Sequence, residues 1–196
     1  MTMNWTLVRT TNPTSLPVSL SEVKDHLRLS QSDTTHDENL TLLMAAATER
    51  LEHDIDRQLM AASYRQSQFG WDGGGEVKLQ KKQVTAVTSV NYVDADGVST
   101  LLPVSDYVFD QGRGSIFPAA GEQYPVVQDG NPNAVVIEFT AGYGTDPNCA
   151  PRIMKAAILL TVGKWFFDPA QEGSALHSEE VSYNHLIRLL HRSTYP

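Results

Sequence analysis

The chain has 196 residues, of which 41% are hydrophobic and 19% charged, and its formal net charge is −8. This length and composition are typical of one soluble globular domain that buries a hydrophobic core. Fifteen Lys and Arg residues stand against 23 Asp and Glu residues. With so few scattered basic residues, the sequence argues against a surface that neutralises many phosphates of a nucleic acid.

The single cysteine, Cys149, excludes an intramolecular disulfide and is typical of a reducing compartment. Residues 1–5 contain neither the basic nor the apolar part of a secretory signal. We therefore expect the protein to be made in the cytoplasm.

Two helices are predicted in the first third of the chain. Residues 1–18, which include Pro13 and Pro17, are predicted to form an extended arm. Ser19 and Glu22 have the spacing of a capping box and predict a helix over 19–29. A longer helix over 36–59 is predicted from apolar residues at i, i+3, i+4 and i+7. This stripe comprises Leu40, Leu43, Met44, Ala47, Leu51 and Ile55.

After this helical stretch, which spans 19–61, the apolar period changes to two and predicts an antiparallel β insert over 62–144. Asp96-Gly97 is a strong signal for a hairpin turn. A second hairpin is predicted to join 107–109 to 115–117, and the last strand covers 134–140. The loop over 118–133 is rich in Pro and Gly. Loops of this length are usually functional or disordered.

A third helix over 151–167 is apolar on almost every side between Ile153 and Val162, with only Lys155 and Thr161 interrupting. Such a helix must be enclosed by other protein, and it is too short to cross a bilayer, which takes about 20 residues. We therefore expect no membrane association. The predicted subunit core includes Leu43, Leu51, Ile55, Ile158, Leu159, Leu160 and Trp165.

The predicted fold class is α+β, a small helical bundle with an antiparallel β unit inserted between the second and third helices. The main domain covers 19–167, and residues 168–196 form a polar linker and a C-terminal tail. That tail contains a final helix from about Glu179 to Arg192, with a leucine stripe. Since a helix of about 14 residues is marginal alone in water, the stripe needs a partner.

No catalytic or metal site is predicted, and no cofactor is expected. The six histidines never have the spacing of a zinc site. Asp94-Ala95-Asp96-Gly97 places its glycine too early for a calcium loop. The Gly-x-Gly pairs at 112–114 and 142–144 lack the third glycine of a dinucleotide fingerprint.

Four segments together resemble the head-to-tail connector proteins of long-tailed bacteriophages, also called adaptor or head-completion proteins. The segments are Leu20–Leu29, Val90–Gly97, Phe139–Gly144 and the helix from Ala156 through Trp165. The resemblance covers about residues 20–165, and the tail after Asp168 departs from it most.

The resemblance implies a virion protein of the phage neck, located at the portal vertex. It implies a homo-oligomeric ring of about twelve copies. Such a ring docks on the portal protein, extends the DNA channel and offers its far side to a stopper or tail-completion protein. DNA passes through the lumen without sequence-specific binding, and we expect acidic residues to face that lumen.

The resemblance also implies that the tail grips the portal. From about Glu179 onward it is expected to leave the subunit body, with Leu186, Leu189, Leu190 and Tyr195 forming the docking interface. The alternative is that this helix folds back on its own bundle. Two other functions remain open: a stopper or tail-terminator protein of the same neck, and a small metal-free hydrolase with an unrecognised site.

Overall fold

The computed structural model describes residues 5–71, 75–167 and 177–192, and within the last range it describes the side chains of 182–190. Four helices and antiparallel sheets confirm the predicted α+β class. The chain divides into two units, each built from two separate stretches. The first unit comprises Met1–Asn12 with Ala61–Tyr143, and the second comprises Pro13–Met60 with Gly144–Pro196.

The first unit contains two antiparallel sheets, where the sequence predicted one β insert. Its strands are β1 (Trp5–Thr11), β2 (Ala62–Gln68), β3 (Val77–Lys78), β4 (Val84–Val93), β5 (Ser99–Leu101), β6 (Tyr107–Asp110), β7 (Ser115–Pro118) and β8 (Val135–Ala141). A five-stranded sheet has the order β1-β2-β8-β4-β5, and a three-stranded sheet has the order β3-β7-β6. Both predicted hairpins are confirmed, as β4–β5 and β6–β7.

Strand β8 shows why this unit folds as a sheet. Its alternate residues Val135, Ile137, Phe139 and Ala141 are fully buried, while those between them are half-buried. This period of two is what a strand with one face on a core requires. Phe139 stacks on Tyr64 of β2, with 5.8 Å between the ring centroids.

The predicted extended arm at the N-terminus is corrected by the structure. Strand β1 pairs antiparallel with β2, with Trp5 opposite Gln68 and Val8 opposite Arg65. Leu7 packs against the core of the first unit. The signal for a strand was weak because an edge strand of this kind turns only Trp5 and Leu7 toward protein.

The second unit is helical and contains α1 (Leu20–Leu27), α2 (Asp37–Ile55), α3 (Arg152–Phe167) and α4 (His177–Arg192). The capping box at Ser19 and Glu22 is confirmed, since each side chain satisfies a backbone N–H of the other residue. Both α1 and α2 end earlier than predicted. Their C-caps, Arg28 and Asp56, have φ of 58° and 51°, the left-handed conformation that stops a helix.

Helix α3 is enclosed by its own unit only in part, which corrects the expectation of complete burial. The buried residues are Met154, Ala157, Ile158, Thr161, Val162 and Gly163. Helix α1 packs closely on α3 at Gly163. A Cβ added at this glycine would lie 3.5 Å from His26 Nε2 of α1. Ala156 and Phe167 are exposed.

In the single chain, helix α4 packs against α2 and α3. Its Tyr183 and Leu190 are buried there, at 5% and 3% exposure. The helix thus has, in the single chain, the position of the fold-back alternative, and docking on a portal stays a prediction.

Candidate functional site

The histidines and the cysteine do not converge on one place in the part of the chain that the structure describes. Among those residues, no three His, Cys, Asp or Glu side chains are grouped so that they could hold a metal ion. His36 packs edge-on against Phe166, with ring centroids 5.3 Å apart. Cys149 is exposed, and a Cβ added at Gly144 would lie 2.8 Å from its Sγ. The thiol thus packs directly on the Gly144 backbone.

The predicted portal-docking residues differ in their accessibility. Leu189 is 41% exposed and Leu186 is half-buried, whereas Leu190 is buried against the helical unit. Tyr195 lies outside the described residues. Of the three described residues of this set, Leu186 and Leu189 are therefore accessible while α4 lies on α2 and α3, and Leu190 is not.

A polar and aromatic cluster holds α4 in place, and the sequence did not predict it. The Tyr183 hydroxyl donates a hydrogen bond of 2.7 Å to Asp54 Oδ2. The Arg50 guanidinium lies 4.6 Å from the centroid of the Tyr183 ring and 5.9 Å from that of Trp165. Arg50 also lies 3.7 Å from Asp54. Such cation–π and charge-assisted contacts fix the orientation of α4.

This cluster changes the ionisation of its tyrosine. Burial raises the pKa of Tyr183 above the ordinary tyrosine value, and the hydrogen bond to the Asp54 carboxylate raises it further. The i,i+4 spacing of Arg50 and Asp54 was the only trace of the cluster in the sequence, and that spacing is also common on solvated helix surfaces.

The predicted subunit-core residues fall into two groups. Leu51, Ile55 and Ile158 are fully buried. Leu43, Leu159, Leu160 and Trp165 are half-buried. Because α3 is only partly enclosed, its leucines at 159 and 160 lie at the border of the core.

The long loop over 118–133 is ordered by contacts within the first unit. Trp71 stacks on Tyr124, with ring centroids 4.1 Å apart, and its Nε1 donates a hydrogen bond of 2.8 Å to Pro125 O. Gln128 N donates to Val93 O at the end of β4. Between these anchors, Val126 is 79% exposed. The loop thus presents an apolar side chain on a fixed support.

The face of the five-stranded sheet away from its core carries a cross-strand ion pair. Arg65 on β2 pairs with the Glu138 carboxylate on β8 at 2.8 Å, and Ser89 on β4 donates to the same carboxylate. These residues lie opposite one another in the strand registers. The only charges along this row therefore neutralise each other.

Comparison with solved structures shows that this fold occurs in the necks of virus-like particles. The chain is similar to one in the neck of an empty gene transfer agent (GTA) particle computed with C6 symmetry, with 24% identity and a TM-score of 0.75. It is similar to one in the virion of a native GTA particle, with 23% identity and a TM-score of 0.75. It is also similar to one in the neck of a native GTA particle computed with C12 symmetry, with 25% identity and a TM-score of 0.73.

Each of these likenesses covers 94% of this chain and 94% of the other. They support a structural protein of a phage-like neck. No protein-family model and no curated protein matches the sequence. In the described part of the chain, no helix combines the length and the hydropathy needed to span a membrane.

Proposed function

We propose that the chain is a ring-forming structural subunit of a phage-like neck, in the position of the adaptor. In this role it docks on the portal, extends the DNA channel and provides the attachment surface for a stopper or tail-completion protein. One observation carries the proposal: the fold is shared over 94% of both chains with subunits of GTA particles, two of which are described as necks. The alternative position in the same neck is that of the stopper or tail terminator.

The proposed ring has about twelve copies. Its support is the symmetry of the particles that contain the similar chains, which were computed with C6 in one case and C12 in another. Electron cryo-microscopy of the purified protein, alone and on portal-bearing capsids, tests this directly. A ring that is coaxial with the portal supports the proposal. A protein that remains monomeric both alone and on capsids contradicts it.

The tail is proposed to contribute the portal contact through Leu186, Leu189, Leu190 and Tyr195. In the subunit, Leu186 and Leu189 are accessible, but Leu190 is buried against the bundle. A portal contact that uses Leu190 therefore requires α4 to move away from α2 and α3. A contact made by Leu186 and Leu189 alone does not.

Deletion of 177–196 tests the docking role. A truncated chain that stays folded but no longer joins portal-bearing capsids supports it. A truncated chain that unfolds contradicts it, because the helix is then needed for the subunit itself. Leu189→Ser provides a milder variant, since this side chain is 41% exposed and contributes little to the core.

The order of assembly separates the adaptor from the stopper. An adaptor binds capsids that carry the portal and no other neck protein. A stopper or terminator binds only after the adaptor ring is present. Mixing the purified chain with capsids that lack all other neck proteins, followed by sedimentation, therefore distinguishes the two positions.

A further inference from the structure

Strand β1 is an edge strand whose outer side has no paired neighbour among the described residues. The five-stranded sheet has the order β1-β2-β8-β4-β5, so β1 pairs with β2 on one side only. Every second residue of such a strand turns its backbone N–H and C=O away from its neighbour. These groups form a template on which another strand can pair.

The sequence of β1 does not protect this edge. Natural proteins block an exposed edge with Lys or Pro, with bulges, or by making the strand very short. Strand β1 is seven residues long and contains no Lys, Pro, Asp or Glu. Its one irregularity lies near its end, between Arg9 and Thr11. Its exposed residues are mostly β-branched, which favours an extended chain. The β1 edge is therefore suited to receive a strand from another chain.

The opposite edge of the same sheet, β5, differs from β1 in length and in charge. Strand β5 has three residues, and Pro103 follows two positions after its last residue. Residues 84–112 contain four Asp and no Lys, Arg or Glu, whereas residues 5–12 contain Arg9 and no acid. Two β1 edges placed together would bring their arginines close, while a β1 edge and a β5 edge have complementary charges.

The strand registers place apolar side chains of both edges on the same side of the sheet. Thr6 of β1 and Leu101 of β5 are the two ends of one row across the five strands. Val8 lies two residues beyond Thr6 and therefore points to the same side. Val8 is 54% exposed and Leu101 is 60% exposed. The residues of the row between Thr6 and Leu101 are Ser67, Val136 and Asn91.

The two edges can join without a change of strand direction. Four antiparallel pairings separate β1 from β5, so the two strands point the same way. If the row continues from one copy to the next, Leu101 lies opposite Thr6 and diagonal to Val8, within reach of its side chain. Two exposed apolar side chains then cover each other.

The charges fall at one end of the same alignment. Arg9 lies three residues beyond Thr6, and Asp106 lies five residues beyond Leu101. Asp106 Oδ1 accepts a hydrogen bond from the neighbouring Ser105 hydroxyl, and the carboxylate has a second oxygen for a further donor. The alignment thus brings a basic group of one edge toward an acidic group of the other.

We propose that the β5 edge of one copy pairs in parallel with the β1 edge of the next copy, so that the sheets of neighbouring subunits join around the ring. This inference rests on the proposed function, which supplies the ring. The contact joins two different surfaces, so it is heterologous, and its repetition by a rotation that closes produces a ring. A pair of β1 edges would be isologous and would stop at two copies.

Engineered cysteines test which strands meet. In a Cys149→Ala background, one chain carries Leu101→Cys and a second chain carries either Thr6→Cys or Val8→Cys. Paired strands lie about 4.8 Å apart, which is within the Cα separation that a disulfide spans. Mild oxidation should therefore link the Leu101→Cys chain to at least one of the two β1 variants, as seen by mass spectrometry.

Two control cysteines occupy exposed positions that do not face Leu101. Arg9→Cys lies on the other side of β1, because Arg9 stands opposite the core residue Tyr64. Val108→Cys lies on β6, an edge strand of the other sheet, and Val108 is 54% exposed like Val8. The Arg9→Cys chain should not link to the Leu101→Cys chain, and the Val108→Cys chain should not link to the β1 variants.

Lysine substitutions test whether the contact builds the ring. Val8→Lys and Leu101→Lys each place on an edge the side chain that natural sheets use against pairing. Each variant should need at least about tenfold more protein to reach the ring mass in analytical ultracentrifugation. Val126→Lys is the matched control, since Val126 is 79% exposed and lies on no strand. Far-UV circular dichroism and urea midpoints like those of the wild type establish that the variants are folded.

The outcomes separate this contact from the proposed function. Val8→Cys chains that link mainly to each other would show an isologous β1 pair, and a link from β1 to Val108→Cys would show a different edge. Either result, or lysine variants that assemble like the wild type, would overturn the contact while leaving the proposed ring intact. A wild-type chain that forms no ring alone or on portal-bearing capsids would instead overturn the proposed function, and this contact with it.

Discussion

Tyr183 of α4 donates a hydrogen bond of 2.7 Å to the carboxylate of Asp54, near the end of α2. Tyr183 is 95% removed from solvent, so this bond and the Arg50 guanidinium over the ring are its polar contacts in the described structure. These two contacts connect α4, near the end of the chain, to α2, in its first third.

We predict that Tyr183→Phe weakens the attachment of α4 by about 1–2 kcal/mol, the range for a hydrogen bond to a partly exposed charged group. Amide hydrogen exchange should show faster exchange in α4, with α1 and α2 unchanged. Asn184→Ala, at the exposed neighbouring position, is the control and should leave exchange as in the wild type. Equal protection of α4 in both variants would show that the hydroxyl contributes nothing.

The raised pKa of Tyr183 predicts a loss of stability in alkali. Burial and the Asp54 carboxylate favour the protonated phenol in the folded chain, so its folded pKa lies above the unfolded value of 10.0. The folded state then binds more protons than the unfolded state above about pH 10, and the free energy of unfolding falls as pH rises there. Below that pH the contribution is fully present.

Urea unfolding between about pH 9 and pH 11 measures this effect. Tyr183→Phe should show a smaller decrease than the wild type across that range, since one of the shifted groups is gone. Tyr107 and Tyr124, whose pKa values are also raised by burial, account for the decrease that remains. Identical pH slopes in the two proteins would contradict the assignment to Tyr183.

The two sides of α3 should respond differently to truncation. Ile158 is fully buried, so Ile158→Ala should cost about 2–5 kcal/mol. Leu160→Ala should cost the monomer less than half as much, because its side chain is only half-buried. Denaturant unfolding at concentrations where the protein is monomeric makes the comparison. An equal loss at the two positions would show that Leu160 belongs to the core of the subunit.

A buried glutamine joins the two sheets of the first unit. Gln66 is fully buried; its Nε2 donates to Lys78 O at 3.0 Å, and its Oε1 accepts from Gln80 N at 2.8 Å. Gln66 Nε2 also donates to the buried Gln68 Oε1 at 2.9 Å. Gln66→Leu should therefore cost about 2–4 kcal/mol, because Gln68 Oε1 and the partly buried Gln80 N both lose a partner. Gln80→Ala, whose side chain is more exposed, should change stability by less than about 0.5 kcal/mol. A stable Gln66→Leu variant would contradict this account.

The acidic balance of the chain predicts that an assembled ring does not hold DNA. At physiological salt its dissociation constant for duplex DNA should be above about 10⁻⁴ M, the value for the weakest ordinary non-specific binding. Fluorescence anisotropy against salt concentration measures it. A steep salt dependence, which indicates that many phosphates are neutralised, would contradict a lumen that lets DNA pass freely.

The elements with a strong local signal could be predicted from the sequence. The capping box at Ser19, the Asp96-Gly97 turn and the alternation in β8 depend on residues that are neighbours along the chain. Their physical causes are hydrogen bonds and periodicity within a few positions. The class of fold followed from these elements.

The errors concern contacts between distant residues. Strand β1 is defined by its pairing with β2, about 60 positions later, and its own pattern is too short to reveal this. The orientation of α4 depends on Tyr183 meeting Asp54, 129 positions away. The division of the β insert into two sheets depends on Gln66 and other long-range partners. Local periodicity carries no information about such pairs, so these features required the structure.

The interleaving of the two units has a consequence for synthesis on the ribosome. Helix α2 ends at Ile55, and its partner α3 begins only at Arg152, after nearly the whole of the first unit. At roughly 5–20 residues per second, the buried face of α2 emerges about 5–20 s before the helix that covers it. During that interval Leu40, Leu51 and Ile55 have no α3 to pack against, and the nascent chain is most exposed to aggregation and to chaperone binding.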